Sequence, residues 1–273
     1  MANIIPISSL NDSRIAVFHN VRDADLRGRD NLCMVESELA VKRLLKSDWE
    51  LHSLFLSPQK YERMAHKLAG RETDVFVADV SLMSEVTGFH IHRGVLAAVK
   101  RKKQVEISLE TFFQNNQVVS LLLAERITNI DNMGSLFRNA AAFGVSGVLL
   151  SGTCCDPLYR KSIRVSMGHV FSLPWLIVEK WDELILQLKE SYGVQIIGLE
   201  TGPNALPLWE VDVKEQCGII VGEERTGLSS ATLQLCDVIA EIPMSASVPS
   251  VNVGIASAVG LYDLILRNRF NSR

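Results

Sequence analysis

Within the single stretch 121–144 the chain switches from an unbroken apolar block, Leu121-Leu122-Leu123, to helical spacing at Met133, Leu136, Phe137, Ala140 and Ala141. A continuous apolar block suits a strand covered on both faces, and the spacing that follows suits an amphipathic helix. Asp131 or Asn132 is suited to cap that helix, and Gly144 stands where a left-handed residue ends it. A strand-loop-helix unit accommodates both patterns. Asn132, Gly134 and Arg138 sit at its junction, polar residues among apolar ones. On its own the stretch is also satisfied by a capped core helix carrying one solvated arginine.

The same alternation recurs on either side. Leu32–Glu36, Leu51–Leu56, Val75–Val80 and Gly94–Val99 read as strands, with helical patterns through Leu39 to Leu45 and Tyr61 to Leu68. This predicts a small α/β unit at 1–104. From Gln104 the sequence turns polar and reaches Asn115-Asn116, which places a linker at 105–117. Beyond it, Val118–Leu123, Val145–Leu150, Val194–Leu199, Cys217–Val221 and Val238–Ile242 read as strands with helices after most of them. The expected fold class is therefore α/β, with a mostly parallel sheet covered on both sides in a second domain, 118–273. A last helix is marked by Val251, Ile255, Ala258, Val259, Tyr262 and Leu266 on one face, with Gly254 and Gly260 allowing close backbone approach.

Net charge is -3, which on its face disfavours a polyanionic partner, but the charge is unevenly spread. Residues 1–105 hold 16 Lys and Arg against 13 Asp and Glu, and the remainder holds 12 against 18. The basic excess ends in Lys100, Arg101, Lys102 and Lys103, so a nucleic-acid footprint on the first half is permitted. Five scattered cysteines without metal-ligand spacing suit a reducing cytoplasm, and Cys154-Cys155 reads as incidental rather than redox active. No apolar run is long enough for a membrane span and no export signal is recognisable at residues 1–10, so a cytoplasmic protein without membrane attachment is expected.

Two further polar clusters follow strands in the second half, where the carboxyl ends of parallel strands bind ligands. One is Gly222-Glu223-Glu224-Arg225-Thr226-Gly227-Leu228, whose glycines let a ligand lie against the backbone while Glu224 accepts hydrogen bonds. The other is Ile242-Pro243-Met244 followed by Ser250-Val251-Asn252-Val253-Gly254, in which Ser250 or Asn252 can cap the final helix. Capping and turn formation alone would account for these residues taken singly. Glycine-rich dinucleotide and P-loop fingerprints, a metal-binding His or Cys pair and a nucleophile elbow are all missing, which disfavours the enzyme classes built on them. His90 and His92, two apart, are more simply a half-exposed polar turn than a metal site.

Taken together and in order, the three clusters resemble the SpoU-type (TrmH-like) branch of the SPOUT RNA methyltransferases. That family carries N-x-G-x-x-x-R-x-A, then G-x-E-x-x-G-L, then I-P-M followed by S-L-N-V-S. This chain has Asn132-Met133-Gly134 with Arg138-Asn139-Ala140, then Gly222-Glu223-Glu224 with Gly227-Leu228, then Ile242-Pro243-Met244 with Ser250-Val251-Asn252-Val253-Gly254. Tyr159 to Gly168 also looks like the family, and Val35-Glu36-Ser37-Glu38 stands where many members have an E-G pair in a small RNA-binding module. Asn129-Ile130 replaces the family's D-P, Ala246 a glycine after I-P-M, and Gly254 the last serine.

The resemblance implies a trefoil-knotted methyltransferase domain, S-adenosylmethionine as cofactor, no metal, and ribose 2′-O-methylation of ribosomal or transfer RNA. It implies Gly222, Ile242 and Val251 as cofactor-binding positions and Asn132, Arg138, Glu224, Ser250 and Asn252 as the polar active-site set. It also implies a homodimer in which Arg138 serves the partner's site. A guanidinium stays protonated at ordinary pH, so Arg138 would orient and stabilise charge rather than accept the proton. The competing expectation is an RNA-binding or ribosome-assembly factor that keeps the fold without turnover.

Overall fold

The computed structural model describes residues 2–21, 31–91, 93–102, 108–114, 119–245 and 247–267. Val118, His92, Lys103 and Ala246 lie outside the described residues, as do parts of the stretch read as a linker. The chain divides into two compact units, one of residues 1–102 with 158–172 and one of 103–157 with 173–273.

In the first unit β1 (Asn3–Pro6), β2 (Leu32–Glu36), β3 (Leu51–Leu56), β4 (Asp74–Val77) and β5 (Val95–Lys100) form one sheet in the order β1-β4-β3-β5-β2. The β1-β4 and β4-β3 pairs are parallel, and β5 runs antiparallel to both β3 and β2. Helices α1 (Glu38–Leu44), α2 (Pro58–Leu68) and α3 (Val80–Thr87) connect the strands. Every residue of β2 is buried, as its apolar run requires. Phe18, Phe55 and Phe76 meet at the centre of the core, with ring centroids 5.2 and 6.2 Å from Phe18. The fourth strand ends at Val77, earlier than the apolar run suggested, because α3 begins at Val80 with Asp79 in the extended position before it, making no side-chain capping bond.

The segment Leu158–Ser172 belongs to this unit although it comes late in the chain. Gly168 lies so close to Ala40 that a Cβ on it would sit 2.7 Å from the Ala40 Cα, and Phe171 packs edge-on against Trp49 at 5.2 Å. Arg160 lies 3.6 Å over the Phe89 ring, and Arg164 pairs with the buried Glu36 carboxylate at 3.3 Å. The basic run is partly neutralised within the same unit: Lys100 pairs with Glu50, and Lys102 with Asp48 at 2.7 Å.

Ser37, one residue after Glu36, adopts φ 94°, a conformation that favours glycine. Its hydroxyl repays part of the strain by accepting the Ala40 N–H at the start of α1. Strain of this kind amounts to about 1–3 kcal/mol, whereas glycine gives up only a few tenths as a cap. Ser37→Gly is therefore expected to raise the thermal midpoint by roughly 2–4 °C. A lowered midpoint in calorimetry would show that the cap outweighs the strain.

The second unit holds α4 (Glu110–Phe113), β6 (Ser120–Ala124), α5 (Ile130–Ala142), β7 (Gly147–Ser151) and, past the excursion that contains α6 (Arg160–Val165), β8 (Trp175–Val178). Then come α7 (Trp181–Tyr192), β9 (Gln195–Leu199), β10 (Leu206–Pro207), β11 (Cys217–Val221), α8 (Ser230–Leu235), β12 (Val238–Glu241) and α9 (Val253–Leu261). Its sheet runs β10-β12-β9-β11-β6-β7-β8, and every pair is parallel. Leu121, Leu122 and Leu123 are wholly buried; Leu121 and Leu123 join a core with Trp181, Ile185 and Leu188 of α7, while Leu122 turns to the other face. Residues 108–114, inside the stretch read as a linker, pack into this core: Phe112 is fully buried, and a Cβ on Gly147 would strike its ring.

Helix α9 lies on α5. Asn139 donates from Nδ2 to the Gly254 carbonyl at 2.6 Å and to Ser257 Oγ at 2.9 Å, and a Cβ on Gly254 would sit 3.0 Å from Ser135 Cβ. Gly260 meets Leu199 in the same way. The buried face of α9 carries Val253, Gly254, Ser257, Gly260 and Leu261, and much of the apolar face read from the sequence is exposed instead: Ile255 is 57% exposed and Tyr262 55%, with Val251 and Val259 also exposed.

Candidate active site

All three polar clusters lie at the carboxyl ends of the parallel strands β6, β11 and β12. The cap of α5 is Asn129, not Asp131 or Asn132: its Oδ1 accepts the N–H groups of Asp131 at 2.8 Å and Asn132 at 3.3 Å. Asparagine and aspartate cap equally well, and the next position tolerates proline or isoleucine, so Asn129-Ile130 fills the places of D-P without loss to the helix.

Relieved of capping, the Asn132 side chain reaches across to the other clusters. Its Nδ2 donates to Glu224 Oε1, and its Oδ1 accepts from Asn252 Nδ2 at 2.9 Å. Asn252 in turn caps α9, its Oδ1 accepting the Gly254 N–H at 2.9 Å. One hydrogen-bonded chain, Asn252 to Asn132 to Glu224, therefore ties together residues that the sequence separates widely. Asn132 is buried, while Glu224 and Asn252 are exposed.

Beside this chain a cavity of about 470 Å³ is lined by Gly222, Glu224, Ile242, Ser250 and Val251, with Glu200 and Thr201 at its β9 side and Leu199, Leu228 and Val253 among its apolar walls. A second cavity, lined by Thr128, Asn129, Asn132, Glu223, Glu224, Arg225 and Asn252, adjoins it through the shared residues 223–225. Seven of the eight residues singled out from sequence thus line one cavity or the other. Arg138 lines neither; it is an exposed residue farther along α5.

The Gly222–Gly227 loop closes on itself. A Cβ on Gly222 would lie 2.4 Å from the Gly227 carbonyl carbon, and the Gly227 N–H donates to the Glu223 carbonyl at 2.9 Å. The glycine is needed for this backbone contact, a different reason from ligand access. Three charged residues that sequence reading passed over hold the loop's far end. Glu125 Oε2 accepts the Ser229 N–H at 2.9 Å, Glu200 Oε2 accepts the Leu228 N–H at 3.0 Å, and Arg126 donates to the Gly227 carbonyl at 3.0 Å and to Thr226 Oγ1 at 3.2 Å. Arg126 has φ 56°, and its buried Nε has no hydrogen-bond partner among the described residues. Their one sequence signal is position, each standing directly after a buried strand or one residue on.

The adjacent cysteines lie near this region. Burial, then neighbouring Cys154, Asp156 and Glu224, pushes the Cys155 thiol up to about 12, and burial raises Cys154 as well. Both stay protonated near neutrality, which removes them as nucleophiles there. Among the described residues no group of three His, Cys, Asp or Glu is placed to hold a metal ion, and no helix is long and apolar enough to cross a membrane.

Residues 120–262, spanning all three clusters, match the SpoU rRNA Methylase family. The chain belongs to that family. An uncharacterized tRNA/rRNA methyltransferase of Mycobacterium bovis is 35% identical over 89% of this chain and 83% of its own length. A 23S rRNA (guanosine-2′-O-)-methyltransferase of Acinetobacter baylyi is 29% identical over 66% of this chain and 73% of its own. Among solved structures, the AdoMet-bound rRNA methyltransferase from Sinorhizobium meliloti superposes with a TM-score of 0.81 over 96% of this chain and 97% of that one, at 21% identity. At such identity the likeness speaks for the fold, an α/β architecture with mostly parallel sheets that SpoU structures share.

Proposed function

We propose that this SpoU-family chain is an S-adenosylmethionine-dependent RNA methyltransferase that acts on a ribose 2′-hydroxyl of ribosomal or transfer RNA in the cytoplasm. The observation that carries the reading is the hydrogen-bonded chain from Asn252 through Asn132 to Glu224 beside the cavity lined by Gly222, Ile242, Ser250 and Val251. The relatives' names point to the same chemistry, since one is a guanosine-2′-O-methyltransferase of 23S rRNA.

The cavity suits the cofactor on two counts. Its volume lies within the range of small-molecule sites, and its apolar walls at Leu199, Leu228, Ile242 and Val253 combine with three carboxylates, Glu200, Glu223 and Glu224, toward a ligand that carries a sulfonium charge. Backbone at Gly222, Ile242 and Val251 would hold it. Bound there, the cofactor supplies an already activated methyl group.

The protein's part is then to position a ribose hydroxyl and manage its proton. Asn132 and Asn252 are each held at both ends by hydrogen bonds, so their amides are oriented before substrate arrives. Glu224 is the anionic acceptor at the meeting of the two cavities, and Ser250 borders the same space. Arg138 orients the RNA and offsets developing negative charge. Because Arg138 stands outside both cavities and the outward face of α9 is apolar, we take the active form to be a homodimer in which Arg138 reaches the partner's cavity. We also take the second unit to carry the family's trefoil knot; Asn252, just before α9, meets Asn132 of α5. The first unit serves as the RNA-binding module.

Incubation with labelled S-adenosylmethionine and total RNA tests the activity, with the product mapped as an alkali-resistant 2′-O-methyl site. Arg138→Ala is expected to abolish transfer while cofactor affinity stays nearly unchanged. Cofactor binding without transfer to any RNA by the wild-type chain would favour the non-catalytic binding factor, and loss of cofactor affinity in Arg138→Ala would refute the division of roles.

A further inference from the structure

We propose that Glu200 is the ribose-reading residue of the cofactor cavity, its carboxylate accepting the hydroxyls of a nucleoside's cis-diol. The inference rests on the reading of that cavity as the S-adenosylmethionine site and names the group that recognises its sugar. Glu200 follows β9 directly, at the carboxyl end of a central strand, where an acidic side chain is suited to accept from ribose hydroxyls. It lines the larger cavity and not the smaller one, so it faces the apolar compartment rather than the Asn132 and Asn252 end.

Its geometry is that of a fixed acceptor. Oε1 accepts the Thr201 N–H at 2.9 Å and Oε2 the Leu228 N–H at 3.0 Å. Two backbone donors set the plane of the carboxylate. Each oxygen has a second lone pair, which leaves two acceptor positions for two hydroxyl donors. Gly227 makes the placement possible: it has φ +64°, and a Cβ there would lie 2.0 Å from Glu200 Oε2. The other carboxylates of the cavity are engaged differently, Glu223 by the Thr226 hydroxyl at 2.9 Å and Glu224 by Asn132.

A role confined to bracing the loop would weaken every ligand alike, and so would a contact with the amino-acid ammonium. The test is therefore a cycle between protein and ligand. S-adenosylhomocysteine and its 2′-deoxy and 3′-deoxy analogues are titrated calorimetrically into the wild-type chain, Glu200→Gln and Glu200→Ala, with thermal melts confirming that each variant folds. Loss of a hydrogen bond to a charged acceptor is expected to weaken S-adenosylhomocysteine by about 10- to 100-fold in both variants. Each deoxy analogue keeps one hydroxyl and depends on the same braced loop, so it is expected to lose affinity in both variants, but at least about threefold less than S-adenosylhomocysteine does, the coupling of groups that share a contact. An equal loss across all three ligands, or no loss for any, overturns the assignment. Failure of the wild-type chain to bind both S-adenosylmethionine and S-adenosylhomocysteine overturns the reading of the cavity itself, and the role of Glu200 with it.

Discussion

Gly222→Ala is expected to bind S-adenosylmethionine about 10- to 100-fold more weakly than the wild-type chain while remaining folded, the outcome when one methyl is forced into a packed site at a cost of about 1–3 kcal/mol. The added Cβ would meet only backbone: the Gly227 carbonyl carbon at 2.4 Å, its oxygen at 2.6 Å and the Leu228 nitrogen at 2.6 Å. None of these atoms can swing aside as a side-chain tip could. The strand behind Gly222 is fixed by pairing with β6 and β9, and the loop ahead of it is held through Glu200, Glu125 and Arg126. The loop must therefore open, and it forms one wall of the larger cavity. Gly202→Ala is the matched control, because a Cβ there meets nothing within 4 Å. Equal affinities for the two variants in calorimetry would show that the loop is looser than its contacts imply.

Buried strands were the most legible part of the fold. Leu32–Glu36 and Cys217–Val221, buried at every residue, match their apolar runs to the residue, because a strand hidden on both faces writes its full length in its composition, and Leu51–Leu56 matches too although its first two residues are not buried. The strands that escaped notice carry no such record. Asn3–Pro6 pairs on one side only and is largely exposed, Leu206–Pro207 is two residues long, and Trp175–Val178 borders β7 at the end of the sheet. At the site, Asn132, Glu224 and Asn252 could be picked out because each stands in a recognisable polar cluster, but their mutual bonds could not. Arg126 and Glu200 were invisible for a simpler reason: a single charged residue after a strand is ordinary until the loop it grips is seen.

The segment 158–172 illustrates a different limit. Periodicity reports which face of an element is buried and says nothing of what buries it. Ile163, Val170 and Phe171 are hidden, and the partners of the segment include Ala40 and Trp49 of the first unit. A fragment beginning at residue 105 would strip these side chains of their cover, at about 1.5–3 kcal/mol for each large one newly exposed. Substitutions in the intact chain are therefore the cleaner way to separate RNA affinity from cofactor affinity.

Co-expression of Gly222→Trp, whose side chain blocks the cofactor cavity outright, with Arg138→Ala is expected to restore about a quarter of wild-type activity although neither variant is active alone. Arg138 is exposed on α5 and borders neither cavity, whereas Gly222 shapes the larger one. If Arg138 acts on the partner's cavity, a mixed dimer holds one site with both parts sound, the cavity of the Arg138→Ala subunit and the arginine of the other. Random pairing makes half the dimers mixed, and each has one working site of two. The apolar stripe of Val251, Ile255, Val259 and Tyr262 gives such a dimer a surface to bury, since Gly254 and Gly260 are already occupied against Ser135 and Leu199 of their own chain. Two affinity tags isolate the mixed species, for which half of wild-type activity is expected. Zero activity in that preparation, with both variants folded, would mean that each subunit completes its own site and that Arg138 turns inward on substrate binding.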